Sequence, residues 1–240
     1  MYEERKYRSL TGRGDLVQFY ILQEETDLLI AADADLSEKA DEIVRQIRMD
    51  LTKYIAINPH FETSFIPVKK TSVQPRVIRE MVRSTEKFGI GPMASVAGAV
   101  SDLVGKELLK YSKQVIVENG GDIFMKTDND RTVAVLAGNS PFSGNIAIEI
   151  KGGNMPVGIC TSSGTSGHSF SFGSADAVVV ISDSASAADA AATYLGNMVK
   201  KVEDIDDTIR KAGKIKNIRG VMIIKDDRMG LSGDIKITKI

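Results

Sequence analysis

The chain has 240 residues, with 31 Lys and Arg against 32 Asp and Glu, a net charge of −1 and one cysteine, Cys160. That length buries a full core without staples. The lone thiol excludes an internal disulfide and a multi-thiolate metal site and suits a reducing cytosol, and the neutral balance excludes the basic field that nucleic-acid binding needs. The N-terminal MYEERKYRSL has no apolar signal core, and no run approaches the roughly 18 apolar residues of a membrane span. A soluble, cytoplasmic protein is expected, without nucleic acid or membrane as partner.

Residues 15–23 (DLVQFYILQ) and 28–32 are β-favouring runs separated by four polar residues, which predicts a hairpin. From Leu36 the period changes: Ala40, Ile43, Val44, Ile47, Leu51 and Tyr54 follow helical spacing, with Asp35 or Ser37 to cap the start and Asn58-Pro59 to end it. Pro75 suits the first position of a second helix that carries Val77, Ile78, Met81 and Val82 on one face. A third helix is expected over 93–111. Its first half, MASVAGAVSD, is so rich in small residues that a helix, a strand or a ligand must approach its backbone closely.

Strands are expected at 114–117, 123–126, 132–137, 145–150, 156–160 and 177–182. A small-residue helix over 184–202, a polar helix over 204–214 and a closing hairpin of 220–225 with 234–238 complete the reading. The basic cluster at 211–219 is interleaved with apolar residues and reads as a solvated helix end. Strands are mostly consecutive, so the expected class is α+β with largely antiparallel sheets and packed amphipathic and small-residue helices.

Three segments can carry chemistry. Asp189 and Thr193, four apart on a helix, present a carboxylate and a hydroxyl on one face, hard oxygens that suit magnesium. The alternative is a packed alanine helix in which Thr193 bonds back to its own backbone. Glu118-Asn119-Gly120-Gly121-Asp122 is either a ligand-lining turn or a plain β-turn. The run CTSSGTSGHSFSFG, 160–173, is too polar for core and long for a hairpin; its amides and hydroxyls suit a phosphate, or it is a surface loop. Within it His168 offers acid–base chemistry, while His60 after Asn58-Pro59 reads as a surface turn. Cys160 stands where a strand meets this loop. There a thiol can be partly exposed and reactive, or buried and inert.

The order and spacing of these pieces resemble the ApbE-like family, whose founding members are magnesium-dependent FAD:protein FMN transferases. Residues 93–102 are similar to the family's small-residue helix, 117–123 to its Gly-Gly-Asp turn and 160–164 to its Thr-Ser-Gly segment. Residues 188–193 (ADAAAT) resemble its metal motif, in which Asp and Thr hold magnesium with help from a backbone carbonyl. The resemblance covers roughly residues 90–200. It implies one ApbE-like domain over 1–240, with the site core at 90–200 between an N-terminal hairpin and helices and a C-terminal helix and hairpin.

By that resemblance Ala94, Gly98, Asn119, Gly120, Gly121, Asp122, Thr161, Ser162, Ser163 and Gly164 line a site for FAD, and Asp189 and Thr193 hold Mg2+. Two positions depart from the transferases. Ala97 stands where they carry Lys, and His168 is followed by Ser-Phe-Ser-Phe-Gly rather than the x-x-Asp-Pro-x-Thr-Gly of their segment. In this the chain is similar to a shorter ApbE-like branch of archaea and anaerobic bacteria, associated in some lineages with sulfur assimilation.

The implied function is binding of a nucleotide-type molecule, FAD with magnesium, with FMN transfer to an acceptor protein or FAD hydrolysis. A second reading is a sulfur-relay accessory protein with Cys160 as a persulfide-bearing thiol and His168 as its partner. A third is a non-catalytic module of the same fold. With no basic field and no lysine at 97, a phosphate must be held by amides, hydroxyls and a metal.

Overall fold

The structure is a computed structural model that describes residues 14–153, 156–165 and 172–240. β1 (Val17–Gln23) and β2 (Thr26–Ala32) form the expected hairpin, turning at Glu24 and Glu25, whose carboxylates both reach Arg48. α1 (Ser37–Ile57) follows. Its start is fixed by Asp35 Oδ1, which accepts the Ser37 N–H at 2.9 Å, and its buried stripe is Ala40, Val44 and Ile47. A short α2 (His60–Thr63) leads to α3 (Arg76–Glu86), which begins one residue after Pro75 and buries Val77, Ile78, Met81 and Val82. Burying each such side chain contributes about 1.5–3 kcal/mol. The small-residue segment opens as a 3-10 turn, Pro92–Ser95, and continues as α4 (Val96–Leu108).

Six strands then run in succession: β3 (Val115–Asn119), β4 (Asp122–Lys126), β5 (Arg131–Ala134), β6 (Ile146–Ile150), β7 (Val157–Ser162) and β8 (Ala177–Ser182). α5 (Ala185–Gly196) and α6 (Asp204–Ala212) precede β9 (Ile218–Lys225), β10 (Arg228–Gly233) and β11 (Lys236–Lys239). An eight-stranded sheet has the order β1-β2-β3-β4-β7-β8-β9-β10, and a three-stranded sheet the order β11-β6-β5. Every neighbouring pair is antiparallel. The fold is therefore α+β with antiparallel sheets.

The central strands of the large sheet are buried on both faces, while its edge strands β1 and β10 are partly exposed. Val115, Val117, Val178, Val180, Val221 and Ile223 face the helices, while Ile116, Val179, Ile181, Met222 and Ile224 face the small sheet with Ile148 and Ile150. Helices, large sheet and small sheet thus form three layers. This double burial is why the central strands read as unbroken apolar runs instead of alternating ones.

Two expected elements differ. The closing hairpin pairs β9 with β10, whereas β11 leaves to pair with β6 in the small sheet. β10 is Gly-rich because α6 lies on it: a Cβ at Gly230 would stand 2.5 Å from Ile205 Cγ2. The sequence RMGLSG therefore carries little β signal. The small-residue helix ends at Gly196, not Val202, because the following residues turn to pair with the loop return, where Ser174 N–H donates to the Val199 carbonyl at 2.8 Å.

Candidate functional site

The candidate site lies where α4 and α5 cross above β4 and β7. Their approach is close enough that a Cβ on Gly98 would stand 2.5 Å from the Ala185 carbonyl oxygen and 2.8 Å from Asp189 Cβ. The close neighbour demanded by the small-residue run is thus a helix. Beneath α5, Gly158 of β7 is just as constrained: a Cβ there would lie 2.2 Å from the Ala185 nitrogen. Alternation along β7 then sets Cys160 against the helices and Ile159 against the small sheet.

α5 is held at its N-terminus by a residue that sequence reasoning missed as a functional group. Asp102 of α4 is fully buried and accepts the Ala185 N–H at 2.9 Å, the Ser186 N–H at 3.2 Å and the Ser186 hydroxyl at 2.8 Å, with Lys106 Nζ at 3.6 Å. A carboxylate at a helix N-terminus satisfies donors that the helix leaves open and meets the positive end of its dipole. The sequence held a signal: an Asp on the buried face of a helix needs a partner.

One turn into α5, Asp189 Oδ2 accepts the Gly98 N–H at 3.0 Å. Asp189 is half-buried, and loss of solvation pushes its carboxyl up to about 7 against the opposing effect of that hydrogen bond. No other donor among the described residues reaches its carboxylate. Thr193, also half-buried, makes no hydroxyl bond to its own helix among the described residues, although Thr85 and Ser101 do so on theirs. Ala188, Ala190, Ala191 and Ala192 do the packing instead.

The Gly-Gly turn is latched to α4. Gly120 and Gly121 have φ of 65° and 101°, a conformation that L side chains adopt only with strain. Buried Glu118 accepts the Gly121 N–H at 3.0 Å, and Asn119 Nδ2 donates to the Ala97 carbonyl at 3.2 Å. Ser101 Oγ lies 2.9 Å from the Asp122 carbonyl oxygen. The structure thereby brings Gly98, Asn119, Asp122, Cys160 and Asp189 together. Ala94 sits in the 3-10 turn before α4, with its N–H donated to Gly91.

The Ser/Thr/Gly segment divides. Ser162 lies under the C-terminal end of α5, with its hydroxyl 3.7 Å from the place of a Cβ on Gly196. Thr161, paired with Val179, takes the face of β7 that looks to the small sheet. Ser163 Oγ accepts the Thr165 N–H at 3.1 Å, Gly164 donates to Ala175 at 2.8 Å, and Thr165 Oγ1 donates to Asp176 at 3.0 Å. His168, and with it any pairing with Cys160, lies outside the described residues.

Cys160 is not partly exposed. Its thiol is fully buried within β7, donates to the Ala185 carbonyl at 3.2 Å and is pushed well above the usual thiol range by burial, with the charges of Asp122 and Asp189 adding to the effect. The strand runs two residues past Cys160, to Ser162, and α5 covers it. The thiolate needed for sulfur chemistry is therefore strongly disfavoured.

Among the described residues no cluster of three or more His, Cys, Asp or Glu is arranged around a metal-sized point. No helix among them is long and apolar enough to cross a membrane.

The chain matches the family model described as AbpE bacteria over residues 8–217. It is 40% identical over 220 residues to a UPF0280 protein of Methanocaldococcus jannaschii, covering 90% of this chain and 89% of that one. Among solved structures it is similar to the flavinyl transferase ApbE of Pseudomonas stutzeri, with a TM-score of 0.59 and 14% identity over 90% of this chain and 94% of that one. It is also similar to the flavin transferase ApbE of Vibrio cholerae, with a TM-score of 0.53 and 14% identity over 93% and 96%. At such identities the structural likeness speaks for the fold alone.

Proposed function

The chain belongs to this ApbE-like family, and from that premise we propose that it binds a flavin nucleotide, FAD, with Mg2+ at the α4–α5 crossing and acts on its pyrophosphate, as an FMN transferase toward an acceptor protein or as an FAD hydrolase. The observation that carries the reading is the Asp189 carboxylate, anchored through one oxygen by the Gly98 N–H, with the Thr193 hydroxyl, without a hydrogen-bond partner among the described residues, one turn on.

Magnesium fits this donor set. It prefers hard oxygens and takes only one or two protein carboxylates, drawing its other ligands from water and phosphate. Asp189 and Thr193 would hold it. When bound, it neutralises charge on the phosphates. The chain's own residues do the positioning: Gly98 fixes the rotation of the Asp189 carboxylate, Asp102 fixes α5, and Asn119 fixes the glycine turn against α4. Ser162 and Ser163 offer hydroxyls at the end of β7. Ala97 gives no ammonium, so binding depends on these groups and the cation.

The fully buried thiol gives no support to a sulfur relay. Nor are Asp189 and Thr193 packed away among the alanines, as a module without ligand would have them. The test is turnover of FAD by the purified chain. Magnesium-dependent release or transfer of FMN is expected, falling at least about a hundredfold in Asp189→Ala, a loss of the size seen when one electrostatic contact to developing charge is removed. Turnover indifferent to magnesium or to that substitution contradicts the assignment.

A further inference from the structure

Away from this site, a cleft of about 470 Å³ is lined by Lys70, Thr71, Ser72 and Arg79, between the loop before α3 and the first turn of that helix. Residues 64–79 hold Lys69, Lys70, Arg76 and Arg79 and no carboxylate, in a chain whose net charge is −1. On α3 itself Arg76 pairs with Glu107 and Arg83 with Glu80, but among the described residues Lys70 and Arg79 have no acidic partner.

The loop is built, not merely exposed. Buried Gln74 accepts the Thr71 N–H on Oε1 at 2.8 Å, while its Nε2 reaches Tyr54 Oη at 2.8 Å and the Lys69 carbonyl at 3.1 Å. Arg79 Nη1 donates to the Gln74 carbonyl at 2.6 Å, with the Ser72 carbonyl at 3.4 Å. One guanidinium nitrogen thus fixes the loop. The remaining guanidinium donors, the Lys70 ammonium and the Thr71 and Ser72 hydroxyls have no hydrogen-bond partner among the described residues.

Cationic donors beside hydroxyls, with no carboxylate among them, match an anion rich in oxygen, and guanidinium in particular suits its planar pairs of oxygens. We propose that this cleft binds a tetrahedral oxyanion of the phosphate class, either inorganic phosphate or the terminal phosphate of a larger molecule. It is separate from the α4–α5 crossing. Arg76 at the start of α3 meets Glu107 near the end of α4, whereas Ser84 near the end of α3 meets Ser95 just before α4. The loop that enters α3 therefore lies at the end of the helix pair remote from Gly98, nine residues or about 13 Å along α4 at the α-helical rise.

Amide and guanidinium NMR shifts of the full chain, titrated with inorganic phosphate and in parallel with ADP at an ionic strength held constant with chloride, test the site. Saturable changes at residues 70–72 and the Arg79 side chain are expected. Affinity should fall at least about tenfold in the double variant Lys70→Ala with Ser72→Ala, the scale of losing charge-assisted contacts. Asp189→Ala should leave it unchanged. A response to phosphate alone assigns the free anion, and a response also to ADP assigns a terminal phosphate. No saturable response, or one undiminished in the double variant, overturns the proposal.

Discussion

The proposed site turns on a single side chain, Asp189. Its carboxyl is raised to about 7 by loss of solvation, so in metal-free protein the fold holds a proton that the unfolded chain releases near pH 4. Charging it costs stability progressively as pH rises from about 4 to about 7. Asp189→Asn keeps an acceptor for Gly98 and removes that cost. In chelator, urea unfolding should show the variant more stable than the parent at pH 8, by on the order of 2 kcal/mol after allowing for partial exposure, and the two converging near pH 4. A difference constant with pH would contradict this. Cys160 yields the complementary expectation. Mild alkylation should leave the native thiol untouched and label it only after unfolding, because α5 covers it. Rapid labelling of folded protein would revive the sulfur-relay reading. The spacing of Asp189 to Thr193 made that pair legible as a candidate, whereas the choice between a reactive and a buried Cys160 stayed open in the sequence because it depends on a helix 25 residues further on.

At the scale of elements, the site depends on how tightly α4 and α5 cross. Gly98→Ala would drive a methyl to 2.5 Å from the Ala185 carbonyl oxygen, backbone that cannot yield without parting the helices. A loss of about 1–3 kcal/mol is expected, together with weakened magnesium dependence because Asp189 loses its N–H partner. Thermal unfolding and a magnesium titration of the same variant read the two effects, and unchanged values for both would show that the crossing has slack. The period of the residues made α1, α3, β8 and the first hairpin legible, since each buries a regular stripe or run. Asp102 was read only as part of a motif. Its role as the cap of α5 joins residues 83 apart, which no local pattern records. β10 and β11 were misassigned for a similar reason: glycines that make room for α6 weaken the strand signal, and pairing with β6 is a tertiary choice.

For the whole molecule, three layers explain both the composition and the placing of the site. Strands covered on both faces need apolar residues throughout, and the candidate site forms in the helix layer where α4, α5 and the Gly-Gly turn meet. The near-zero net charge hides an uneven distribution, acid-free over 64–79 and compensated elsewhere. The α4–α5 crossing is proposed to take FAD through a magnesium ion on Asp189 and Thr193. Calorimetric titration of the full chain with FAD, with magnesium and with chelator, is the decisive measurement. Saturable binding that requires magnesium and disappears in Asp189→Ala is the predicted result; no binding of FAD under either condition would contradict it.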